Sequence, residues 1–343
     1  MKITKKHLDE MYRCYCASST EIDNDLHIFL ASEEQGYPCY DYSGENFETK
    51  KVVWQEGGGT MSIIPLPNKS NEFLAVMDFY LKVSPSKAKI VWGVYENGEW
   101  TVKDLFYLPY LHRFDIYRVD GVNYFIGATI AETKENKEDW SKPGKIYTAI
   151  LPDDLTQPIE LTELVGGLFR NHGYTRHYEN DMPVGYFGSD QGILKVTPPN
   201  KQGEAWKTEK IMDGTISEIA IIDIDNDGED EIMTIEPFHG NAIKIYKKTA
   251  GNYKEVYSYQ NEIDFAHTLV GCTLRGVNTF LAGVRRKDAE IFYVQYKDGA
   301  FVTEVLEKGC GPANLAVVNE ENRDIIIAAN HTCNEAAVYI VED

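Results

Sequence analysis

Apolar and polar residues alternate along this chain in short runs, and helical periodicity is almost absent. Stretches such as KIVWGVYENGEWTVKDLFYL, FDIYRVDGVNYFIGATI, AIKIYKKTAGNYKEVYSY and DAEIFYVQYKDGAFVTEVL are rich in β-branched and aromatic residues and are broken by Gly, Asn and Asp. That pattern predicts strands separated by turns. Asn97-Gly98, Asp120-Gly121 and Asp298-Gly299 fall where two-residue hairpin turns are expected.

Aligning the chain on itself exposes a repeated unit: inner strand, acidic or Asn/Gly turn, second strand, polar loop, third strand, Gly turn, fourth strand. SEIAIIDIDNDGEDEIMTIEPFHGNAIKIYKK is the clearest copy. HTLVGCTLRGVNTFLAGVRRKDAEIFYVQYKDG and ANLAVVNEENRDIIIAANHTCNEAAVYIVED superimpose on it, and the units opening at His112 and His172 fit more loosely. Units start near Thr60, His112, His172, Ser217, His267 and Ala313, roughly 45–60 residues apart, which is the period of four-stranded propeller blades. A seventh fits before Thr60, with residues 14–17 as inner strand and 26–31 as the second. The last unit runs out after its third strand, at 338–341, and residues 2–7 can supply the missing outer strand. The expected architecture is therefore all-β: a single β-propeller domain over residues 1–343, of seven four-stranded blades, closed by pairing of the N- and C-terminal strands. A two-sheet sandwich array is the alternative, but it does not explain so many consecutive copies.

One turn carries a distinct chemistry. Asp223, Asp225, Asp227 and Glu231 stand at positions 1, 3, 5 and 9 of a loop with Gly228 at position 6, and the Glu229 carbonyl would fill position 7. Six to eight oxygens at about 2.3–2.6 Å suit calcium, and this spacing wraps them around one ion. The flanks, SEIAII and EIMTIE, read as strands, which excludes an EF-hand. The stretch resembles the FG-GAP/VCBS repeat, a propeller-blade motif whose DxDxDGxxD loop joins the first two strands of a blade. By that likeness the loop is a structural calcium clamp.

The histidines carry the functional expectation. His112, His172 and His267 each open an expected innermost strand, while His239 and His331 each follow the next strand. In a propeller both kinds of position open on one mouth of the central channel. Arg285 and Arg286 stand in the second class of position, as do Ser189-Asp190-Gln191 and Glu33-Glu34-Gln35. Neutral imidazoles suit Zn²⁺, Mn²⁺, Fe²⁺ or Ni²⁺, and a three-histidine site with open positions is catalytic in type. His172, His239 and His267 are the expected ligands. His177, His112, His331 and Tyr174 are candidates for proton transfer, and Arg285 for stabilising developing negative charge. His7 and His27 lie outside the pattern and are read as structural.

Composition narrows the partners. Asp and Glu outnumber Lys and Arg by 54 to 34, for a net charge of -20, which disfavours a nucleic-acid partner. No apolar run reaches membrane-spanning length, and MKITKKHLDEMYRCYC lacks a secretory h-region, so a cytoplasmic location away from membranes is expected. The six cysteines form no CxxC pair and are expected to be reduced and structural.

The run Thr234-Ile-Glu236-Pro-Phe238-His239-Gly240-Asn241, following the acidic loop, is similar to the propeller of the aldos-2-ulose dehydratases, over residues 217–246. Those enzymes eliminate water from 1,5-anhydrofructose and related ketosugars, and the likeness implies that His239 belongs to the sugar or metal site. The chain lacks the family's C-terminal cupin-like part, so an isomerase step assigned to that part is not carried over. Propeller polysaccharide lyases with a histidine-bound metal have a similar layout. The expected function is metal-dependent β-elimination from a small ketosugar, anhydro-ketosugar or uronic sugar. The rival is a non-catalytic carbohydrate- or protein-binding propeller. A hydrolase ranks third, since no GxSxG is present and paired carboxylates at the mouth are not evident.

Overall fold

A computed structural model of the chain describes residues 1–82 and 84–343. Among them the strands form seven four-stranded antiparallel sheets. Six are meanders in chain order, beginning with the strands Cys14–Ile22, Ile63–Leu66, Leu111–Val119, Gly173–Glu179, Glu218–Ile222 and Asp264–Leu274. The seventh takes three strands from the C-terminal stretch, beginning with Asn314–Asn319, and its outer strand, Lys2–Glu10, from the N-terminus. Lys2–Glu10 runs antiparallel to Glu335–Glu342, in a register that joins Lys2 to Glu342 and Glu10 to Glu335. The expected repeat, its seven copies and the closing strand are all present.

Burial follows position within the sheet. Second strands are flanked by neighbours and covered on both faces, so Asp324–Asn330 (DIIIAAN) is buried throughout. Such strands read as continuous apolar runs rather than alternating ones. Fourth strands such as Lys207–Met212 (KTEKIM) are mostly exposed and read as polar. The three expected hairpin dipeptides have both residues at positive φ: Asn97 at 53° and Gly98 at 85°, Asp120 at 47° and Gly121 at 79°, Asp298 at 51° and Gly299 at 81°. That is the two-residue turn whose twist matches the flanking strands.

The chain divides into two compact units, one of Met1–Ala17 with Thr215–Asp343 and the other of Ser18–Gly214. In the first, Ile235, Ile243, Ile245, Phe280, Phe292 and Val294 pack together between adjacent sheets. In the second, Tyr117, Ile126, Ile146, Phe187 and Val196 do the same. Each such side chain contributes about 1.5–3 kcal/mol by leaving water. Cys14, Cys16, Cys39 and Cys310 are buried thiols, and all six cysteines are free. No helix among the described residues is long and apolar enough to cross a membrane.

Candidate functional site

The starts of two innermost strands are bulged, and each bulge falls at a histidine. Register slips between Leu111 and Arg113 at His112, and between Ala266 and Thr268 at His267. A bulge inserts a residue and re-aims its side chain, a device common beside functional sites. His112 is 3% exposed and His267 1%, so both imidazoles are held inside the protein.

In the unit containing residues 215–343, His267 Nδ1 lies 2.6 Å from the Ala313 carbonyl. Only a protonated nitrogen can donate there, so Nδ1–H is fixed and the neutral ring keeps its lone pair at Nε2. The Tyr15 hydroxyl approaches that Nε2 at 3.3 Å. His239 stacks on the same ring, with centroids 5.1 Å apart and planes 25° apart. It is itself sandwiched between Phe238 at 4.0 Å and Phe265 at 4.4 Å. His239 has φ +47° and Phe265 φ +60°, a left-handed backbone that bulky residues rarely adopt. The Ser217 hydroxyl, accepting from the His239 N–H at 3.0 Å, helps to hold the first of these.

His331 and Arg285 also meet. A guanidinium nitrogen of Arg285 lies 2.8 Å from His331 Nδ1 and 2.7 Å from Nε2, and Arg13 Nε donates to Nε2 at 3.4 Å. In the unit of residues 18–214, His112 and His172 lie ring to ring at 4.4 Å, with Phe79 edge-on to His112 at 5.2 Å. Four of the five patterned histidines are thus in two aromatic pairs, and the fifth is joined to an arginine.

Two candidates for proton transfer are placed otherwise. The Tyr174 hydroxyl donates to Asp115 at 2.6 Å and lies 3.0 Å from the Tyr117 hydroxyl, while Arg176 donates to the other Asp115 oxygen at 3.2 Å. Burial first, and then the Asp115 carboxylate, push the Tyr174 phenol well above its ordinary value. The Tyr174 hydroxyl is thus engaged by Asp115 and Tyr117 and stays protonated at neutral pH. His177 stands on the same strand as Tyr174, five residues beyond His172 and edge-on to Tyr186 at 6.4 Å. At about 3.3 Å per residue that is roughly 16 Å from the paired histidine, too far to share a reacting atom with it.

The acidic loop closes as its spacing suggests, with an oxygen from each of Asp223, Asp225 and Asp227 within 4.8 Å of the others. Asp223 accepts from the Asp227 and Gly228 N–H groups, at 3.1 and 2.9 Å. The Lys247 ammonium lies 2.5 Å from Asp225, 2.7 Å from Asp227 and 2.9 Å from Glu231. Burial opposes its charge, but hydrogen bonds to those three carboxylates outweigh burial and raise its pKa. The Glu229 side chain is exposed, while Glu231 is buried and also accepts from the Ile224 N–H at 3.0 Å. A calcium ion here has to displace a lysine that sequence spacing did not reveal, because Lys247 lies on the third strand of the sheet. His27 is structural, with Nδ1 against both oxygens of buried Asp41 at 2.9 and 2.8 Å.

Sequence reasoning missed Tyr15, Phe265, Arg13 and the role of the Ala313 carbonyl. Phe265 alone had a local signal, standing two residues before a patterned histidine.

Comparison with solved structures identifies the fold as a seven-bladed β-propeller. The WD40 β-propeller domain of Doa1 aligns over 100% of this chain and 96% of its own, with TM-score 0.59 and 13% identity. Saccharomyces cerevisiae Sqt1 aligns over 99% and 98%, with TM-score 0.58 and 10% identity. A candidate 6-phosphogluconolactonase of Bacteroides fragilis aligns over 91% and 86%, with TM-score 0.57 and 12% identity. At these identities the likeness concerns the fold alone. No protein-family model and no curated protein matches the chain.

Proposed function

We propose that this chain is a metal-dependent carbohydrate lyase or dehydratase, acting on a small ketosugar, anhydro-ketosugar or uronic sugar. His172, His239 and His267 are the metal ligands in this reading. The observation that carries it is the hydrogen bond from His267 Nδ1 to the Ala313 carbonyl, which leaves Nε2 with its lone pair beside the His239 ring. A backbone carbonyl on the far nitrogen is the usual support of a metal-bound histidine, because it sets the tautomer and orients the ring. The donors are imidazoles, so the fit is to Zn²⁺, Mn²⁺, Fe²⁺ or Ni²⁺. The starts of innermost strands in a propeller open on one mouth, which supports counting His172 with the other two.

When bound, such a metal polarises a sugar carbonyl and acidifies the adjoining C–H. His112, tilted against the His172 ring, removes that proton in this reading. The Arg285 guanidinium balances the enolate charge, and His331 beside it donates a proton to the departing hydroxyl, which leaves as water. The similarity of residues 217–246 to the aldos-2-ulose dehydratases supports the reaction class. A carbohydrate-linked name also occurs among the fold's neighbours, in the candidate 6-phosphogluconolactonase.

Metal analysis of protein purified without chelator tests the reading. Expected are one equivalent of transition metal, its loss in His239→Ala, and a rise in ultraviolet absorbance with 1,5-anhydrofructose as a conjugated enone forms. Protein without transition metal, or metal unaffected by His239→Ala, overturns it. The alternative is a non-catalytic binding propeller, favoured by the WD40 domain among the neighbours. In that case neither metal dependence nor enone is found.

A further inference from the structure

Residues 130–143 join the strands Val122–Thr129 and Gly144–Leu151, and they hold a lysine in an unusual setting. The Nζ of Lys134 is closed off from solvent and has no hydrogen-bond partner among the described residues. It sits over the Trp140 ring, 3.1 Å from the centroid. Lysines ordinarily keep the ammonium in water or against a carboxylate, because burying an unpaired charge is costly. An aromatic face offsets that cost only in part.

The backbone beneath the amine is fixed. Ala131 pairs with Pro143 across the base of the loop, and the Lys134 N–H donates to the hydroxyl of buried Tyr110 at 3.0 Å. Asp139 closes the loop from within by accepting from the Glu135 and Ser141 N–H groups, at 3.0 and 2.9 Å. The Arg170 guanidinium lies by the same Trp140 ring, its carbon 5.8 Å from the centroid, and donates to Asp190 at 3.2 Å. Two cations thus share one indole. Burial, opposed by the Asp139 and Glu138 carboxylates and aided by Arg170, lowers the Lys134 pKa to about 8. Desolvation next to another cation is how a protein turns a lysine from a charged surface group into a neutral nucleophile.

We infer that Lys134 is a carbon dioxide acceptor, its side-chain nitrogen adding the gas reversibly to form a carbamate beside Trp140. The lone pair of the neutral amine attacks the carbon of carbon dioxide. A C–N bond forms, one C–O π bond opens to give the carboxylate oxygen, and the displaced N–H proton passes to water. Neither an oxidant nor a further reactant is needed. Access selects the electrophile: the indole covers the nitrogen and excludes a bulky aldehyde or sugar carbonyl, whereas carbon dioxide is small, uncharged and apolar. Charge favours the product, since the modified side chain is an anion and its repulsion from Arg170 turns into attraction. Asp139 opposes the new charge, but its own is shared with the two N–H groups it holds. The inference is independent of the elimination reading, because it uses none of the histidines and neither Tyr174 nor Arg285.

The test is to trap the carbamate on the full chain. Protein equilibrated with isotope-labelled bicarbonate and carbon dioxide in slightly alkaline buffer is alkylated with triethyloxonium, which converts carbamates to stable esters, and its peptides are mapped by mass. An added peptide with a free α-amino group reports that trapping works. Lys145 is the internal control, because hydrogen bonds to Glu163 and Glu132 raise its pKa and keep it charged. Label on Lys134 is expected to exceed that on Lys145 by about tenfold or more, following the larger share of neutral amine. Lys134→Arg keeps a cation over Trp140 and is expected to lose the label while its thermal unfolding stays unchanged. If that variant fails to fold, the wild-type map decides by itself. No label at Lys134, label no greater than at Lys145, or label in this loop that persists at the wild-type level in Lys134→Arg overturns the inference.

Discussion

Lys247 is where a single side chain does most to define its surroundings. Its ammonium neutralises a loop that otherwise presents Asp223, Asp225, Asp227 and Glu231 to one another, and Glu231 has no exposed side-chain surface to share with water. Removing the lysine leaves the buried Glu231 carboxylate without its cation, and because Lys247 is itself partly exposed the cost is about 1–3 kcal/mol. Lys247→Gln is expected to lower the unfolding free energy by that order in denaturant titrations. Calcium is expected to recover much of the loss in the variant, by occupying the position of the ammonium, and to shift the wild-type protein little. Equal stability of variant and wild type contradicts this account of the loop. The residue was hidden from sequence reasoning because its approach depends on strand pairing: Tyr246 faces Ile232 in register, which brings Lys247 alongside Glu231 at the loop's end.

Among the elements, the N-terminal strand does work out of proportion to its length. Lys2–Glu10 covers the edge of Glu335–Glu342, in which Ala336, Ala337, Val338, Tyr339 and Val341 are buried. Lys5 adds ion pairs to Glu307 and Glu335, both at 2.7 Å. Deleting residues 1–10 exposes an apolar strand edge, a template for intermolecular pairing. The truncated protein is expected to unfold at least about 10 °C lower and to scatter light on warming. An unchanged midpoint argues that the outer strand is dispensable. This pairing was legible in the string, because the last repeat ended one strand short and only the N-terminus held a spare. The bulges at His112 and His267 were not legible. They arise from register with a neighbouring strand rather than from local composition.

For the molecule as a whole, stability should depend on pH at both ends. Many tyrosines have raised pKa values through burial, including Tyr117, Tyr174 and Tyr339, and Tyr246 is raised to about 12. In the unfolded chain these phenols titrate near 10. The folded state therefore binds protons more tightly, and the stability this confers is complete below about pH 10 and is lost as pH rises through the folded values. Asp227 and Glu335 behave oppositely. For Asp227 the Lys247 hydrogen bond is the leading cause, and for Glu335 hydrogen bonds to Lys5, His7 and Asn330 outweigh burial, so both titrate below their ordinary values. Their contribution is present above about pH 4.5 and is lost as pH falls through the lowered values. Thermal midpoints across pH 3–11 should form a plateau with shoulders at both ends. A midpoint that rises above pH 10 contradicts the burial of these phenols.

The order of strands, their grouping in fours and the closing of the last sheet by the first strand were determined by the sequence alone. Period-two alternation, turn dipeptides and a repeated length are local properties, and local sterics and burial act on them directly. Which side chains meet was decided only by the tertiary structure. The stack of Phe238, His239, Phe265 and His267, the Ala313 carbonyl behind His267 and the Arg285 guanidinium against His331 join residues from separate sheets. Their contacts depend on register, bulges and left-handed backbone at Phe265 and His239, none of which a one-dimensional pattern encodes. The repeat marked the histidines as worth watching; packing between sheets gave them their partners.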